Sequence, residues 1–281
     1  MRQLIKSILL SVSPSIIKKR VFAHYHTLNW KSLSKVEFDA ELVLLEFLLN
    51  KDSVFFDIGA NKGEYVYYAE RLINSKNIYL FEPEKRLNKQ LNAIFKNCNV
   101  FDVALSDSAG THQFKIPVIN GVADNCLSSL EVNHKEDNET EAIVYEVKTN
   151  TLDNFTKEKN VFPDLIKIDV EGHELSVLKG AEHYISTHHP TLIIEIEQRH
   201  HQDINIDSVF DNFKQKGYHA YYYSKKHAQL FPYDNKTHLT NSKEYFGKID
   251  YINNYIFIHS NNTTIKSVDV INKEIAIKTK P

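Results

Sequence analysis

The chain has little of what marks several common classes of protein. Only two of its 281 residues are cysteines, Cys98 and Cys126, and their wide separation indicates neither a disulfide framework nor a zinc site. The formal net charge of −2 gives no reason to expect nucleic acid as a partner. No apolar run approaches the roughly 20 residues that span a bilayer. We therefore expect a globular protein with reduced cysteines, located in the cytoplasm and without a transmembrane segment.

Residues 1–33 form a predicted helical appendage. The apolar residues between Leu4 and Leu9 have helical spacing, Pro14 interrupts the pattern, and the basic run Lys18-Lys19-Arg20 follows. A membrane-surface helix would explain this pattern, so peripheral membrane contact stays open, but an apolar stripe that caps the domain is the commoner explanation. Because the stretch is short, contains Lys6 and lacks a small-residue cleavage site, it does not predict a signal peptide.

The stretch from Val54 to Tyr65 organises the rest of the chain. Three apolar residues lead into Asp57, two glycines follow at 59 and 63, and an amphipathic pattern comes next. This order predicts a buried strand, a tight turn and a helix whose positive N-terminus faces a small anionic molecule. A dinucleotide fingerprint would need glycines at 59, 61 and 64, but Asn61 and Glu64 occupy two of those positions.

An acid at the end of the next strand indicates which molecule the turn binds. Glu82 closes the apolar run 78–82, where a carboxylate can accept both ribose hydroxyls of an adenosine. The alternative is an ordinary turn at Gly59 and Gly63 followed by a solvated strand end. The combination of the two glycines with an acid at the end of the next strand favours a nucleoside cofactor.

The order of the remaining elements predicts an α/β fold. A main domain over residues 34–260 opens with a helix whose capping box is Ser34 and Glu37, and it continues as β-α-β-α-β up to residue 105. Strands at 112–118 and 142–149 are expected to pair as an inserted hairpin, with the polar loop 120–140 between them as either a lid or flexible surface. Further strands are predicted at 164–168, 191–197, 218–223 and 255–259. Residues 261–281 are expected to form a loose tail.

Several stretches together resemble the FkbM family of methyltransferases that depend on S-adenosylmethionine (SAM). They are Phe56-Asp57-Ile58-Gly59-Ala60-Asn61-Lys62-Gly63, Phe81-Glu82-Pro83, Ala104-Leu105-Ser106-Asp107, Thr151-Leu152-Asp153-Asn154-Phe155, Ile166-Lys167-Ile168-Asp169-Val170-Glu171-Gly172-His173-Glu174 and Leu178-Lys179-Gly180-Ala181. The resemblance covers residues 50–200, and the motifs occur in the family's order. It implies a three-layer class I methyltransferase (Rossmann-like) sheet of about seven strands, mostly parallel with an antiparallel last strand.

The resemblance also implies SAM as methyl donor and a hydroxyl group as acceptor, most typically on a sugar of a polysaccharide or glycolipid. The cofactor-binding residues expected at the matching positions are Asp57, Gly59, Asn61, Gly63, Glu82, Ala104, Asp107 and Asp169. His173 departs from the family pattern, in which alanine is more typical at this position.

The carboxyl ends of the later strands carry the expected catalytic and substrate-binding residues. Methyl transfer to an alcohol requires alignment of the acceptor and removal of its proton. Asp169, Glu171 and His173 follow the strand at 164–168, so we expect Asp169 to position a reactant and Glu171 or His173 to accept the proton. Glu195, Glu197 and His200 are the expected substrate contacts. Each could instead be a helix cap or a solvated strand end.

Three alternatives stay open at this stage. The acids and histidines could hold a divalent cation that orients sugar hydroxyls, but their spacing in the sequence is not that of a tight metal site, so no metal is assigned. A nicotinamide-dependent oxidoreductase would share the sheet. A non-catalytic SAM-binding module would share the cofactor site without the chemistry.

Overall fold

The computed structural model describes residues 14–23, 25, 29–30, 41–201, 204–234 and 251–280. The helices in these ranges are α1 (Pro14–Val21), α2 (Glu41–Leu48), α3 (Glu64–Ala69), α4 (Lys85–Ile94), α5 (Leu152–Lys159), α6 (Glu174–Lys179), α7 (Glu182–His188), α8 (Asp207–Gln215) and α9 (Val268–Lys278). The strands are β1 (Phe55–Ile58), β2 (Ile78–Phe81), β3 (Asn99–Phe101), β4 (Ala104–Leu105), β5 (Gly110–Ile119), β6 (Val122–Ala123), β7 (Glu139–Asn150), β8 (Leu165–Ile168), β9 (Thr191–Glu195), β10 (Tyr218–Ser224), β11 (Gln229–Pro232) and β12 (Asn254–His259).

An eight-stranded sheet forms the centre of the fold, in the order β11-β10-β12-β9-β8-β1-β2-β3. The five strands from β9 to β3 in this order pair in parallel. The strand β12 runs antiparallel to both of its neighbours, and β11 runs antiparallel to β10. This arrangement confirms the predicted class I methyltransferase sheet, and β11 adds an edge strand that the sequence pattern did not indicate.

The apolar runs of the central strands fill both faces of the sheet. On β1, Phe55 packs into one core and Phe56 into the other, and both side chains are fully buried. Successive side chains of a strand point to opposite faces, so a strand that is apolar throughout must be covered on both sides. Helices α2, α3, α4 and α9 contribute buried residues to the first core, and α5, α6, α7 and α8 to the second. The molecule therefore has three layers.

A second, four-stranded sheet in the order β4-β7-β5-β6 is inserted beside the first. Its main part is the antiparallel pair β5 and β7, which confirms the expected hairpin. The expected third strand over 100–105 is divided, because β3 pairs with β2 whereas β4 pairs with β7. The chain thus leaves one sheet at Asp102 and enters the other at Ala104.

The C-terminal segment differs from the expected loose tail. Its helix α9 buries the side chains of Ile271 and Ile275 completely. The Asn272 side chain accepts a hydrogen bond from the backbone N–H of Leu230 at 2.8 Å and donates one to the Leu230 carbonyl at 2.9 Å. The helix is therefore attached to the edge strand β11, and its apolar stripe belongs to the first core.

Near the N-terminus, α1 begins at Pro14, a residue that suits the first position of a helix. Phe22, which follows α1, is fully buried and stacks on Tyr67 with ring centroids 4.4 Å apart. The residue that follows α1 therefore packs on the first core. The predicted apolar stripe before Pro14 and the capping box at Ser34 and Glu37 lie outside the described residues. No helix in the described ranges is long and apolar enough to cross a bilayer.

Candidate active site

The turn between β1 and α3 provides one wall of a cleft at the carboxyl edge of the large sheet. Gly59 has a φ of +75°, and a Cβ atom there would lie 1.8 Å from the carbonyl oxygen of Asp169. Only glycine allows this close approach of two loops. Asn61 also has a left-handed backbone, and its side-chain Oδ1 is buried without a hydrogen bond among the described residues. The turn thus presents an unused acceptor to the cleft.

Glu82 lies next to this turn, just after β2. Its two carboxylate oxygens each accept a backbone N–H at 2.8 Å, one from Asn61 and one from Glu84. Because the side chain is almost fully buried, burial raises the pKa of Glu82 to about 8, although the two N–H groups favour the charged form. A carboxylate has about four lone-pair sites, so two remain for a ligand.

A buried lysine on β8, Lys167, links this strand to the turn that follows β1. Lys167 Nζ lies 3.0 Å from Asp169 Oδ2 and 3.5 Å from Asp57 Oδ1, and it donates a hydrogen bond to the Gly59 carbonyl at 3.1 Å. Burial opposes its charge, but the two carboxylates raise the pKa of Lys167 above its ordinary value. The lysine therefore ties the Gly59 turn to the loop that follows β8 and orients Asp169.

The loop after β8 carries the expected catalytic residues. His173 Nε2 lies 2.9 Å from Ser106 Oγ, and His173 Nδ1 lies 2.5 Å from Glu131 Oε1. The hydrogen bond from His173 holds the pKa of Glu131 below its ordinary value. Glu171 has a left-handed backbone, and burial together with the charge of Asp169 raises the pKa of its carboxyl well above the usual range.

The inserted sheet closes the outer side of the cleft. Ser129 pairs with Lys115 of β5 through two backbone hydrogen bonds, and its Oγ donates to the Val170 carbonyl at 3.0 Å. The polar loop thus lies over the site and contributes to its lining. The cleft encloses about 540 Å³ including its mouth and is lined by Ile58, Gly59, Asn61, Phe81, Glu82, Pro83, Ala104, Leu105, Phe114, Asn125, Cys126, Ser128, Ser129, Leu130, Asp169, Val170, Glu171 and His173.

Three of the expected cofactor residues do not line this cleft. Asp57 is buried behind it against Lys167. Asp107 pairs at the surface with Lys179 at 2.8 Å, and the hydrogen bond from Lys179 lowers the pKa of the Asp107 carboxyl. Gly63 faces helix α4, where an added Cβ atom would lie 2.5 Å from the Phe95 ring. Their direct contact with a cofactor stays a prediction, and Gly63 also allows the close approach of α4.

The expected substrate residues also lie outside the cleft lining. Asn253 Nδ2 donates to Glu195 at 2.8 Å. Arg199 Nε and the Tyr251 hydroxyl contact Glu197; although burial opposes ionisation, these donors hold the pKa of Glu197 below its ordinary value. His200 packs behind Glu171, and burial lowers the pKa of its imidazole to about 3.

The sequence motifs do not assign a role to several residues of the site. Lys167 had a visible signal, since it is the one charged residue within the otherwise apolar run Leu165–Ile168. Ser106 belongs to one of the family motifs, but only the fold brings it to the loop after β8, and Glu131 and Arg199 had no signal at all. The same holds for His134 and Glu136, which precede β7 and lie beside His200.

The fold and the cleft together define a class of protein: an α/β protein with an open cleft at the carboxyl ends of its parallel strands. The left-handed Gly59 turn, the unused Asn61 acceptor and the two open positions on Glu82 fit an adenosine. The model of the FkbM methyltransferase domain matches residues 57–220, which is more than half of the chain. The chain belongs to this family.

Individual relatives are more distant. The hexuronic acid methyltransferase AglP of Haloferax volcanii is 29% identical over 136 residues, which cover 46% of this chain and 50% of that protein. The chain thus matches about half the length of this relative. A crystal structure of methyltransferase FkbM from Methylobacillus flagellatus KT is 13% identical with a TM-score of 0.45, covering 82% of this chain and 58% of that one. Precorrin-6y C5,15-methyltransferase from Geobacter metallireducens GS-15 is 10% identical with a TM-score of 0.35, covering 76% and 82% respectively.

Proposed function

We propose that the chain is a SAM-dependent O-methyltransferase that acts on a sugar hydroxyl. The observation that carries the proposal is the arrangement at Glu82, whose carboxylate is fixed by the backbone N–H groups of Asn61 and Glu84. Each oxygen keeps one acceptor position free, which suits the two neighbouring hydroxyls of a ribose. Asn61 Oδ1 and the Gly59 turn would hold the rest of the cofactor. When bound, SAM supplies an activated methyl group.

His173 is the favoured acceptor of the hydroxyl proton. Because its Nδ1 faces Glu131, the hydrogen of the neutral imidazole belongs on Nδ1, which leaves the lone pair on Nε2. Nε2 now lies at hydrogen-bonding distance from the Ser106 hydroxyl, so an acceptor hydroxyl entering the cleft would compete for the same lone pair. Glu171 is the weaker candidate, since its Oε2 is buried near His200 and Arg199.

The acceptor class rests on the family and on one relative. AglP is named a hexuronic acid methyltransferase, and its match covers 136 residues of the chain. We therefore infer a sugar acceptor within a polysaccharide or glycolipid, with hexuronic acids as the first compounds to test. The cytoplasmic location inferred from the cysteines is part of the same proposal: Cys98 and Cys126 are both free.

The cofactor assignment is tested by calorimetric titration with SAM and with NAD. We expect SAM to bind and, above about pH 8 where the Glu82 carboxyl is ionised, Glu82→Ala to weaken binding about tenfold to hundredfold, because charged hydrogen bonds contribute roughly 1.5–3 kcal/mol. Asp102→Ala removes an exposed carboxylate near the same sheet edge and is the matched control. Unchanged SAM affinity in folded Glu82→Ala protein would refute the assignment, and binding of NAD alone would favour an oxidoreductase.

Turnover distinguishes an enzyme from a binding module. The protein should release S-adenosylhomocysteine faster in the presence of an oligosaccharide that contains hexuronic acid than in buffer. If SAM binds but neither acidic nor neutral oligosaccharides increase this release, the O-methyltransferase proposal fails and the non-catalytic alternative gains support.

The proton acceptor is tested by His173→Ala, with the accepted oligosaccharide as substrate. Loss of a general base lowers kcat by about 10²–10⁴-fold, while SAM affinity should stay close to that of the parent protein. His112, which lies 2.9 Å from the Thr149 hydroxyl on the inserted hairpin, provides the control His112→Ala. A kcat within about threefold of the parent in His173→Ala would shift the role to Glu171.

A further inference from the structure

A second cluster of side chains lies directly behind the cleft. His134 and Glu136 come from the loop before β7, and His200 comes from the turn after β9. Glu136 Oε1 lies 3.3 Å from His134 Nε2 and 3.8 Å from His200 Nε2. One ligand atom from each of the three residues falls within 4.8 Å of the other two. Two imidazoles and a carboxylate thus converge on one point.

The cluster contains polar atoms that lack partners. The His200 side chain is only 4% exposed, and its Nε2 is buried without a hydrogen bond among the described residues. Glu171 Oε2 lies 3.9 Å from His200 Nε2 and is likewise buried without a hydrogen bond among the described residues. Buried polar groups are normally hydrogen-bonded, so two unsatisfied atoms facing each other indicate that something binds between them.

We propose that His134, Glu136 and His200 bind a divalent transition-metal ion such as Zn²⁺. Metal bonds of about 2.0–2.2 Å to nitrogen and oxygen place the ligands of a tetrahedral ion roughly 3.4 Å apart. The observed separations of 3.3 and 3.8 Å are close to this value. Two nitrogen ligands and one carboxylate suit zinc and its neighbours better than Mg²⁺ or Ca²⁺, which prefer oxygen throughout.

The surroundings support the ligand arrangement. Arg199 donates to Glu136 Oε2 at 3.1 Å, and this contact leaves Oε1 directed at the imidazoles. Such outer contacts commonly orient metal-binding carboxylates. Arg199 also lies 3.8 Å from Glu171 Oε2 and contacts Glu197, so its own positive charge is offset by three carboxylates. A dication can therefore bind without facing an unpaired cation.

The position of the cluster connects it to the cleft. The left-handed pair Glu171 and Gly172 packs on His200, and a Cβ atom at Gly172 would lie 3.1 Å from His200 Cβ. Glu171 also lines the cleft, so one residue separates the proposed ion from the acceptor side. On the proposed function, the ion would hold the loop that carries Glu171 in place and so shape the acceptor side of the cleft. This last step rests on that function, whereas the metal site itself does not.

The metal site is tested on the full chain after treatment with a chelator. Calorimetric titration with Zn²⁺ should give one binding event per chain, and Co²⁺ should give the visible absorption of a low-symmetry site with nitrogen ligands. His134→Ala and His200→Ala should each weaken binding by about a hundredfold or more, since even outer contacts contribute 10–100-fold. His183→Ala changes an exposed histidine on α7 and should leave the affinity unchanged.

Two results would overturn the metal site: no stoichiometric binding, or equal affinity in the parent protein and the ligand variants. If His200→Ala does not fold, Glu136→Gln tests the same point at a less buried position. The test of the metal site can be distinguished from the test of the proposed function. Binding of SAM without Zn²⁺ binding refutes the ion alone, while Zn²⁺ binding without SAM binding refutes the methyltransferase and retains the site. Where both bind, removal of the ion should raise KM for the sugar and leave SAM affinity unchanged.

Discussion

Glu82 gives a prediction that needs no ligand. Its carboxyl is 4% exposed and its pKa is raised by burial from 4.5 to about 8. The folded protein thus holds this proton more tightly than the unfolded chain does. The contribution of Glu82 to stability is therefore fully present below about pH 4.5 and is lost as the pH rises through about 8.

The magnitude follows from the size of this pKa difference. Each unit corresponds to about 1.4 kcal/mol, and most of the loss between about pH 6 and about pH 9 occurs below the folded pKa. Over that interval the free energy of unfolding should fall by roughly 2–3 kcal/mol on account of Glu82 alone. Other buried acids titrate too, so the absolute slope of the parent protein is not the quantity to compare.

Glu82→Gln isolates the contribution. Glutamine keeps the shape but does not ionise, and its amide group facing the N–H groups of Asn61 and Glu84 adds a cost that does not vary with pH. Urea unfolding of both proteins at about pH 6 and about pH 9 gives, for each, the change in the free energy of unfolding between the two pH values. The difference between these two changes is the contribution of Glu82. Between these pH values, we expect the free energy of unfolding of the parent protein to fall by roughly 2–3 kcal/mol more than that of the variant. Equal losses within about 0.5 kcal/mol would show that Glu82 is not a buried acid with a raised pKa.

Two further predictions concern the fold that supports the site. Gly59→Ala should lower the free energy of unfolding by more than about 1–3 kcal/mol, because the new Cβ atom meets the Asp169 carbonyl and the backbone is left-handed; a Tm equal to that of the parent would contradict the close approach. Ile275→Ala should cost about 2–5 kcal/mol in urea unfolding, whereas Ile277→Ala, on the exposed side of the same helix, should change stability by less than about 0.5 kcal/mol. Equal effects of the two isoleucine substitutions would mean that α9 does not pack on the sheet.

The elements that could be predicted from sequence are those with local signals. The apolar runs of β1, β2, β8 and β9 are short, continuous and followed by acids or glycines, and the sheet they predict is confirmed. The hairpin of β5 and β7 was visible from its alternating pattern. At the site, Gly59, Asn61 and Glu82 meet because a glycine turn and a strand end occupy adjacent parallel strands, a relation that the sequence order already contains.

The elements that were missed lack such a signal. Helix α9 has mixed polarity, and its burial becomes visible only when β11 provides the surface on which Ile271 and Ile275 pack. Asp57 and Asp107 both belong to motifs, and each carboxylate pairs with a lysine that is distant in sequence, a contact that the motifs do not indicate. A motif identifies a position in the fold, but the direction of a side chain depends on its neighbours in space.

The same contrast separates the two halves of the cleft. The half proposed to bind the cofactor consists of strand ends and turns within the large sheet, so its residues follow the order of the family motifs. The half proposed to bind the acceptor is built from the inserted segment, where Ser129 Oγ donates to the Val170 carbonyl and Glu131 contacts His173. Because a surface loop can vary without disturbing the strands that hold it, changes in this segment can alter the acceptor while the cofactor half stays intact. His173 contacts both Ser106, from a family motif, and Glu131, from the inserted segment. His173, where the resemblance implies an alanine, is therefore the residue that joins the two halves of the cleft.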